Sequence, residues 1–193
     1  MFHLRDDAEP YRIVGIDPGT STLGIAVIDV DLITAQLTVR DARTMHASRL
    51  SQYRKSYSEV YGDRFARLSG LEEALVDYFV QRAPHAIISE SPYLGRHAAT
   101  YAALTECMTT ICRAVCRYSD RIPLVTVDPA RAKARLKVSG KSGDKELMRQ
   151  AILGLTDLQN PDRLDLTVRD EHSIDALAIA YYHACTVRTS LVL

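Results

Sequence analysis

The chain has 193 residues, of which 47% are hydrophobic and 25% charged, and its formal net charge is zero. This composition is typical of an ordinary soluble globular protein, and the length suits a single domain spanning residues 1–193. The longest apolar runs, such as Leu23 through Ile28, fall far short of the roughly 20 residues that a membrane span needs. The polar N-terminus is no secretory signal, and the four cysteines make no dense framework. We therefore expect reduced cysteines and a cytoplasmic location, or an organellar or viral one with a reducing interior.

The first part of the chain is predicted to contain three strands. Residues 12–17 and 23–30 are short, nearly all-apolar runs, and the sequence PGTST between them has the residues of a turn. Residues 35–44 alternate well enough for a third strand, so we expect an antiparallel meander. Residues 46–62 lack a clear periodicity and are predicted to form a loop or a mobile segment.

Helices and strands alternate over the rest of the chain. From Asp63 to about Arg82, apolar residues recur at intervals of three and four, which predicts an amphipathic helix. The residues of this stripe are Phe65, Leu68, Leu71, Leu75 and Phe79. The further predicted elements are a strand at 85–90, an Ala-rich helix at 98–117, a strand at 122–129, a helix at 130–136, a helix at 144–155 capped by Asp144, a polar loop at 156–169, and a helix at 170–185 capped by Asp170. This order predicts an α/β fold with a mixed sheet.

The neutral total conceals two segments of opposite charge. Residues 121–150 carry eight basic residues against three acidic ones, a net charge of +5. Residues 156–175 carry six acidic residues against two basic ones, a net charge of −4. A phosphate-binding surface beside a metal-binding pocket would have this pattern. On charge alone, a pair of solvated faces explains it equally well.

Four residues are candidates for a metal site. Asp17 and Glu90 end predicted strands, and ligands of open α/β sheets gather outside such ends. His172 and Asp175 lie three residues apart near the start of the last helix, so they face the same way. Taken singly, each is explained at least as well by turn chemistry, a phosphate-holding turn, capping or the helix dipole. Together they suggest ligands of Mg²⁺ or Mn²⁺, and the imidazole favours Mn²⁺.

Three segments, in this order, resemble the RuvC-type Holliday-junction resolvases of the RNase H-like superfamily. They are IVGIDPGTSTLGIAVI, IISESPY and HSIDALAIAYYHA. The resemblance covers residues 12–30, 85–117 and 122–186, and it implies a five-stranded mixed sheet flanked by helices. The acidic tetrad of the family falls on Asp17, Glu90, His172 and Asp175. Many members carry Asp at the position of His172, and some carry His.

The resemblance also implies the activity. It implies an endonuclease that uses two Mg²⁺ or Mn²⁺ ions per active site and acts as a homodimer on branched DNA, leaving 5′ phosphates. Helix 98–117 would form part of the dimer interface, Tyr93 would stack on bases, and a branch-migration helicase is a candidate partner. Segment 45–62 is longer than the resemblance leads us to expect. The assigned DNA-contacting residues are Arg131, Lys133, Arg135, Lys137, Lys141 and Lys145, with Arg49, Arg54 and Lys55 as further candidates.

Other functions stay open on the sequence alone. Proteins of the actin and sugar-kinase superfamily begin with a similar strand and Asp-containing turn, but they need a second lobe for which 193 residues leave little room. An RNase H-like nuclease acting on flap DNA or RNA is a second alternative, and a non-catalytic DNA-binding module is a third. Cys107, Cys112 and Cys116 suggest zinc, but no further pair lies at ligand spacing. We therefore interpret them as small buried hydrophobes.

Overall fold

The structure, a computed structural model, describes residues 9–51, 55–93, 97–138 and 145–191. The predicted cap Asp144 and the basic residues Arg54 and Lys141 lie outside the described residues. The described elements are, in chain order, β1 (Tyr11–Asp17), β2 (Thr22–Val30), β3 (Leu37–His46), α1 (Ala47–Ser51), α2 (Lys55–Tyr61), α3 (Asp63–Arg82), β4 (Ala86–Glu90), α4 (Ala98–Tyr118), β5 (Leu124–Val127), α5 (Pro129–Arg135), α6 (Lys145–Leu153), β6 (Leu158–Gln159) and α7 (Glu171–Leu191).

The strands form one mixed sheet in the order β5-β4-β1-β2-β3-β6. The pairs β1–β2 and β2–β3 are antiparallel, which confirms the predicted meander, and β4 and β5 continue the sheet parallel to β1. The expected count of five strands is corrected to six among the described residues. The sixth strand pairs Leu158 and Gln159 with the start of β3, inside the predicted polar loop 156–169. Two residues are too few to show any periodicity, so the sequence could not indicate this strand.

Helices cover both faces of the sheet, and this is why the central strands are apolar throughout. Ile13 faces the core beneath α5, α6 and α7, whereas Val14 and Ile16 face the core beneath α1, α3 and α4. All three side chains are fully buried. Because successive strand residues point to opposite faces, a strand covered on both sides reads as a continuous apolar run. None of the described helices is long and apolar enough to cross a membrane.

Two glycines let α7 lie directly against the sheet. A Cβ atom at Gly15 would overlap the carbonyl oxygen of Ala176, and one at Gly24 would overlap the carbonyl oxygen of His172. Both obstructing atoms belong to the helix backbone, so a side-chain rotation could not relieve the overlap. These glycines of β1 and β2 therefore fix the height of the first turns of α7 above the strand ends.

The segment 46–62, which we predicted to be a loop or mobile, contains α1 and α2, so that prediction is wrong. Helix α1 packs on α3, where Leu50 lies over Gly70. Helix α2 buries no side chain, so it leaves no apolar periodicity in the sequence. The prediction of α3 is confirmed from Asp63 to Arg82, but Phe65 does not belong to its buried stripe because it is 47% exposed.

The cysteines divide into two pairs. Cys107 and Cys185 are buried, whereas Cys112 and Cys116 are exposed, and all four are free thiols. The interpretation of the first three cysteines as buried hydrophobes is thus correct for Cys107 and wrong for the other two. No group of three or more potential metal ligands that includes cysteines is found within the described residues.

Candidate active site

Two carboxylates lie side by side at the carboxyl ends of two strands, because those strands are neighbours and parallel. Asp17 is the last residue of β1 and Glu90 is the last residue of β4, and the two strands pair in parallel up to Ile16 and Ser89. Asp17 and Glu90 therefore leave the sheet side by side. As predicted from the sequence, both stand at carboxyl ends of strands, where ligands of α/β sheets bind.

Helix α7 brings the other two candidates to the same strand ends. The Nδ1 atom of His172 lies 2.9 Å from the Oδ2 atom of Asp17, so the imidazole is in direct hydrogen-bonding contact with the end of β1. Asp175 is close enough that the negative charge of Asp17 contributes to raising its pKa. The cap that begins this helix is the predicted one, since the carboxylate of Asp170 accepts a hydrogen bond from the backbone N–H of Ser173.

Both ring nitrogens of His172 are engaged. Nδ1 faces Asp17, and Nε2 lies 2.9 Å from the hydroxyl oxygen of Thr22. Because a carboxylate can only accept, the consistent neutral tautomer donates from Nδ1 to Asp17 and accepts at Nε2 from the threonine hydroxyl. The hydrogen bond to Asp17 raises the pKa of His172, and the negative charges of Asp17 and Glu171 add to this effect. Sequence reasoning missed Thr22, because a hydroxyl in the PGTST turn is explained by turn chemistry alone.

Glu90 and Asp175 are partly buried acids that lie close to the negative charge of Asp17. Burial, and then the negative charge of Asp17, raises the pKa of Glu90 to about 7. The same two causes raise the pKa of Asp175 to about 6. Within the part of the chain that the structure describes, neither carboxylate makes an ion pair. Such crowding of acids is typical of sites that hold a cation or carry out proton chemistry.

Two carboxylates elsewhere in the protein show the opposite arrangement. Asp29 is 2% exposed and pairs with Arg12 and Arg40. Asp41 is 4% exposed, pairs with Arg82 and accepts a hydrogen bond from the hydroxyl of Tyr78. These buried acids are neutralised by arginine, as structural acids usually are. In the described part of the chain no arginine pairs with Glu90 or Asp175, so these two acids lack the surroundings of a structural acid.

The donor set fits a divalent cation, although its members do not form a closed cage. Within the described residues, no group of three or more His, Cys, Asp and Glu side chains is placed so that it could hold a metal ion by itself. Mg²⁺ does not require such a cage, since it keeps several waters and binds through one or two carboxylates and substrate phosphates. Asp17, Glu90 and Asp175 would supply the oxygen donors and the negative charge for such an ion. As placed, His172 donates to Asp17, and it would have to give up one hydrogen bond to become a ligand.

A prediction about stability follows from the raised pKa values. The folded protein binds protons at Glu90 and Asp175 more tightly than the unfolded chain does, so without metal its free energy of unfolding should fall as the pH rises from about 4 to about 7. The raised pKa of His172 acts in the same direction, because its contribution is also lost as the pH rises. Calorimetry in a chelating buffer should show Glu90→Gln to be more stable than the parent at about pH 8, by on the order of 2 kcal/mol. Exposed Glu59→Gln is the control, and an equal gain there would contradict the assignment.

The basic residues of α5 lie beside this cluster. Asp128 caps the helix by accepting a hydrogen bond from the backbone N–H of Ala130, and Arg131 and Lys133 are exposed. The positive charge of Lys133 lowers the pKa of both Glu90 and Asp175, so this lysine stands close to the carboxylates. From this position the ammonium group of Lys133 can attract a phosphate group to the carboxylates.

The remaining predicted DNA-contacting residues differ in their surroundings. Arg135 is exposed but reaches toward Cys185 of α7, and Lys137 is exposed just after α5 with a left-handed backbone. Lys145, the first residue of α6, forms an ion pair with Glu171, a partner that the sequence did not suggest. Tyr93 is 68% exposed three residues after Glu90, so its ring is available for contact.

The sheet order and the covering helices define an α/β fold of the RNase H-like class, with carboxylates at two adjoining strand ends. No family model matches the chain. The crossover junction endodeoxyribonuclease RuvC of Xanthomonas euvesicatoria is 28% identical over 174 residues, which cover 90% of this chain and 87% of that protein. The chain is thus related to the RuvC-type Holliday-junction resolvases, as its three sequence segments predicted.

Solved structures of two resolvases have a similar fold. Thermus thermophilus RuvC, in complex with a Holliday junction substrate, superimposes with a TM-score of 0.67 at 19% identity, covering 93% of this chain and 97% of that one. The yeast mitochondrial Holliday junction resolvase Ydc2 superimposes with a TM-score of 0.65 at 13% identity, covering 95% of this chain and 82% of that one. These comparisons confirm the predicted fold class.

Proposed function

We propose that the protein is a structure-selective endodeoxyribonuclease that resolves four-way DNA junctions by paired nicks, leaving 5′ phosphates. The observation that carries the proposal is the crowding of Asp17, Glu90 and Asp175 beside the ends of β1 and β4, where no arginine or lysine of the described residues forms an ion pair with them. The relatives named as crossover junction endodeoxyribonucleases support the choice of substrate, as does the similarity to a RuvC that was solved with a Holliday junction.

In the proposed mechanism, Asp17, Glu90, Asp175 and His172 would hold two Mg²⁺ or Mn²⁺ ions. Bound divalent ions supply an activated water and relieve the negative charge on the leaving 3′ oxygen. Asp17 orients the imidazole of His172 through Nδ1, and His172 would give up its hydrogen bond with Thr22 at Nε2 when it binds a cation. Lys133 attracts the phosphate toward the carboxylates.

The DNA-contacting residues act around this centre. Tyr93 stacks on an unpaired base, while exposed cations of the 131–149 segment contact phosphates, so affinity should fall steeply with salt. Lys145 joins them once a phosphate displaces Glu171 from its ammonium group. Arg149, by contrast, donates to the backbone carbonyls of Thr167 and Arg169 and thereby holds the loop before α7.

A substrate panel tests the proposal and its rivals. Four-way junctions, duplex, flap DNA and RNA–DNA hybrid should be incubated with Mg²⁺ and with Mn²⁺. We expect symmetric paired nicks in the junction with ligatable 5′ phosphates, and little cutting of the duplex. Preferential cutting of flaps or of the hybrid would support the alternative nuclease. Thermal stabilisation by ATP without any nicking would support the sugar-kinase-like alternative.

A pH profile tests the role of His172. A ligating imidazole must be neutral, and the contact with Asp17 raises the pKa of His172, so protonation begins at a higher pH than for a free imidazole. At saturating Mn²⁺, cleavage by the parent should therefore decline toward mildly acidic pH more steeply than cleavage by His172→Asp. Superimposable profiles would remove His172 from the metal shell.

We place the homodimer contact on the outer face of α4. Small residues repeat there at alternating intervals of four and three, and all are exposed: Ala98, Ala102, Thr105, Thr109, Cys112 and Cys116. The hydroxyls of Thr105 and Thr109 donate to carbonyls one turn earlier in their own helix, so no polar donor is left facing outward from them. The face is thus small and largely apolar, which permits a close helix–helix approach.

Ala102→Arg should therefore convert the dimer to a monomer in sedimentation velocity, because the long cation would separate the two α4 helices. Paired nicking of a junction should drop at least about tenfold, while binding to the junction is only weakened. Gln81→Arg, on the exposed surface at the end of α3, is the matched control and should remain dimeric. An Ala102→Arg protein that sediments as the parent does would place the interface elsewhere.

A further inference from the structure

Three aromatic rings form an exposed cluster on α2 and the start of α3, here called the aromatic platform: Tyr57, Tyr61 and Phe65. Their side chains are 41%, 65% and 47% exposed. The ring centroids of Tyr61 and Phe65 lie 5.0 Å apart, and that of Tyr57 lies 6.2 Å from Phe65. Since α2 buries no side chain, this short helix presents its rings outward rather than contributing them to the core.

The aromatic platform adjoins the turn that follows Asp17. The backbone N–H of Ala47, at the start of α1, donates to the carbonyl of Ser21, and the guanidinium of Arg67 donates to the carbonyl of Thr20. Both contacts hold the platform's flanking helices against this turn. In the sheet, β1 lies between β2 and β4. On one side, β2 and β3 lead to the helices that carry the platform. On the other side, β4 leads to Tyr93. Tyr93 and the platform therefore follow strands that lie on opposite sides of β1, the strand that ends at Asp17.

The charge around the aromatic platform favours an anionic partner. Residues 47–67 contain five basic residues against two acidic ones. Arg49 and Lys55 are exposed, and neither forms an ion pair with another residue that the structure describes. A second copy of the chain would bring the same positive segment against itself, because a two-fold interface repeats the same patch on both sides. A nucleic-acid strand complements the charge and also offers the flat faces on which aromatic rings stack.

We propose that the aromatic platform binds unpaired DNA bases by stacking, with Arg49 and Lys55 contacting the adjacent phosphates. This gives the segment between β3 and α3 a role as a second base-stacking contact, which follows strands on the opposite side of β1 from Tyr93. That the strand belongs to a four-way junction rests on the proposed function, whereas the affinity for unpaired bases does not.

The experiment compares Tyr61→Ala/Phe65→Ala with the parent on a fluorescent oligo-dT strand and on a four-way junction carrying 2-aminopurine beside the crossover. We expect the double variant to bind oligo-dT about tenfold more weakly or worse, and to lose the 2-aminopurine quenching on that side of the junction. Tyr61→Phe keeps the ring and should stay within about twofold of the parent. Ile33→Ala is the matched control, since Ile33 is an 85% exposed apolar residue in the β2–β3 loop, at the opposite end of these strands from the platform.

Unchanged oligo-dT affinity in the double variant, with a parental melting temperature, would overturn the proposal. So would a shift from dimer to monomer with unchanged affinity, because the aromatic platform would then be a protein interface. The two proposals fail separately. If the parent binds oligo-dT through the platform but cuts no junction, only the proposed function is contradicted. If the parent cuts junctions but the platform substitutions leave its affinity for oligo-dT unchanged, only this inference is contradicted.

Discussion

Asp17→Asn should abolish junction cleavage, a loss on the order of 10³-fold or more, while junction binding stays close to that of the parent. Loss of charge stabilisation worth several kcal/mol in the transition state corresponds to a rate effect of this size. Asp17 is central because it contacts His172 directly, and its charge acts on both Glu90 and Asp175. Binding should survive because the proposed phosphate contacts lie on exposed cations outside the cluster.

Two further measurements make this test specific. The amide removes one negative charge from the cluster, so the pKa of Glu90 should move down toward its ordinary value, and NMR titration would detect this. Asp77→Asn, on the exposed surface of α3, is the matched control and should cut junctions at the parental rate. An Asp17→Asn protein that nicks junctions normally would remove this carboxylate from catalysis and with it the proposed mechanism.

Gly24→Ala should both destabilise the protein and inactivate it. The added Cβ would overlap the carbonyl oxygen of His172, and since that oxygen belongs to the helix backbone, the first turn of α7 must move away from β2. Overpacking of this kind costs about 3 kcal/mol, and the displaced turn carries His172 away from Asp17 and Thr22. Denaturant unfolding measures the loss of stability, and a junction assay well below the melting temperature measures the loss of activity.

The control for this change is Gly154→Ala, where an added Cβ would approach the carbonyl oxygen of Gln150 only to 3.2 Å. We expect a much smaller stability change and normal cleavage there. A Gly24→Ala protein with normal stability and activity would mean that the close contact between α7 and β2 has no role in positioning the imidazole.

The sequence predicts the parts of the fold that leave a periodic signal. The stripe that includes Leu68, Leu71 and Leu75 identifies α3 because those side chains are buried at helical spacing. Helix α2 gives no such signal, because it buries nothing and is held by contacts among exposed rings. The two-residue strand β6 is set by tertiary pairing with β3, which no local pattern records.

In the candidate site, too, the sequence predicts the residues that leave a local pattern and misses those that depend on tertiary packing. Asp17 and Glu90 are predictable because each ends an apolar run, and the three-residue spacing of His172 and Asp175 places them on one face of a helix. The hydroxyl of Thr22 and the pairing of Lys145 with Glu171 depend on how the PGTST turn and α6 pack against α7. The roles of the four candidates as metal ligands stay predictions.

The brevity of β6 bears on how copies of this protein behave at high concentration. It pairs only with Leu37 and Thr38, so most of the ten-residue strand β3 has no partner strand on its outer side among the described residues. Arg40 and Arg43 stand on that stretch, and such charges disfavour strand-to-strand polymerisation at a free sheet edge. At the other border, β5 has only four residues, too few to template a foreign strand. Sheet edges that are short or carry charged residues should keep the enzyme from forming cross-β aggregates, even where its concentration on DNA is high.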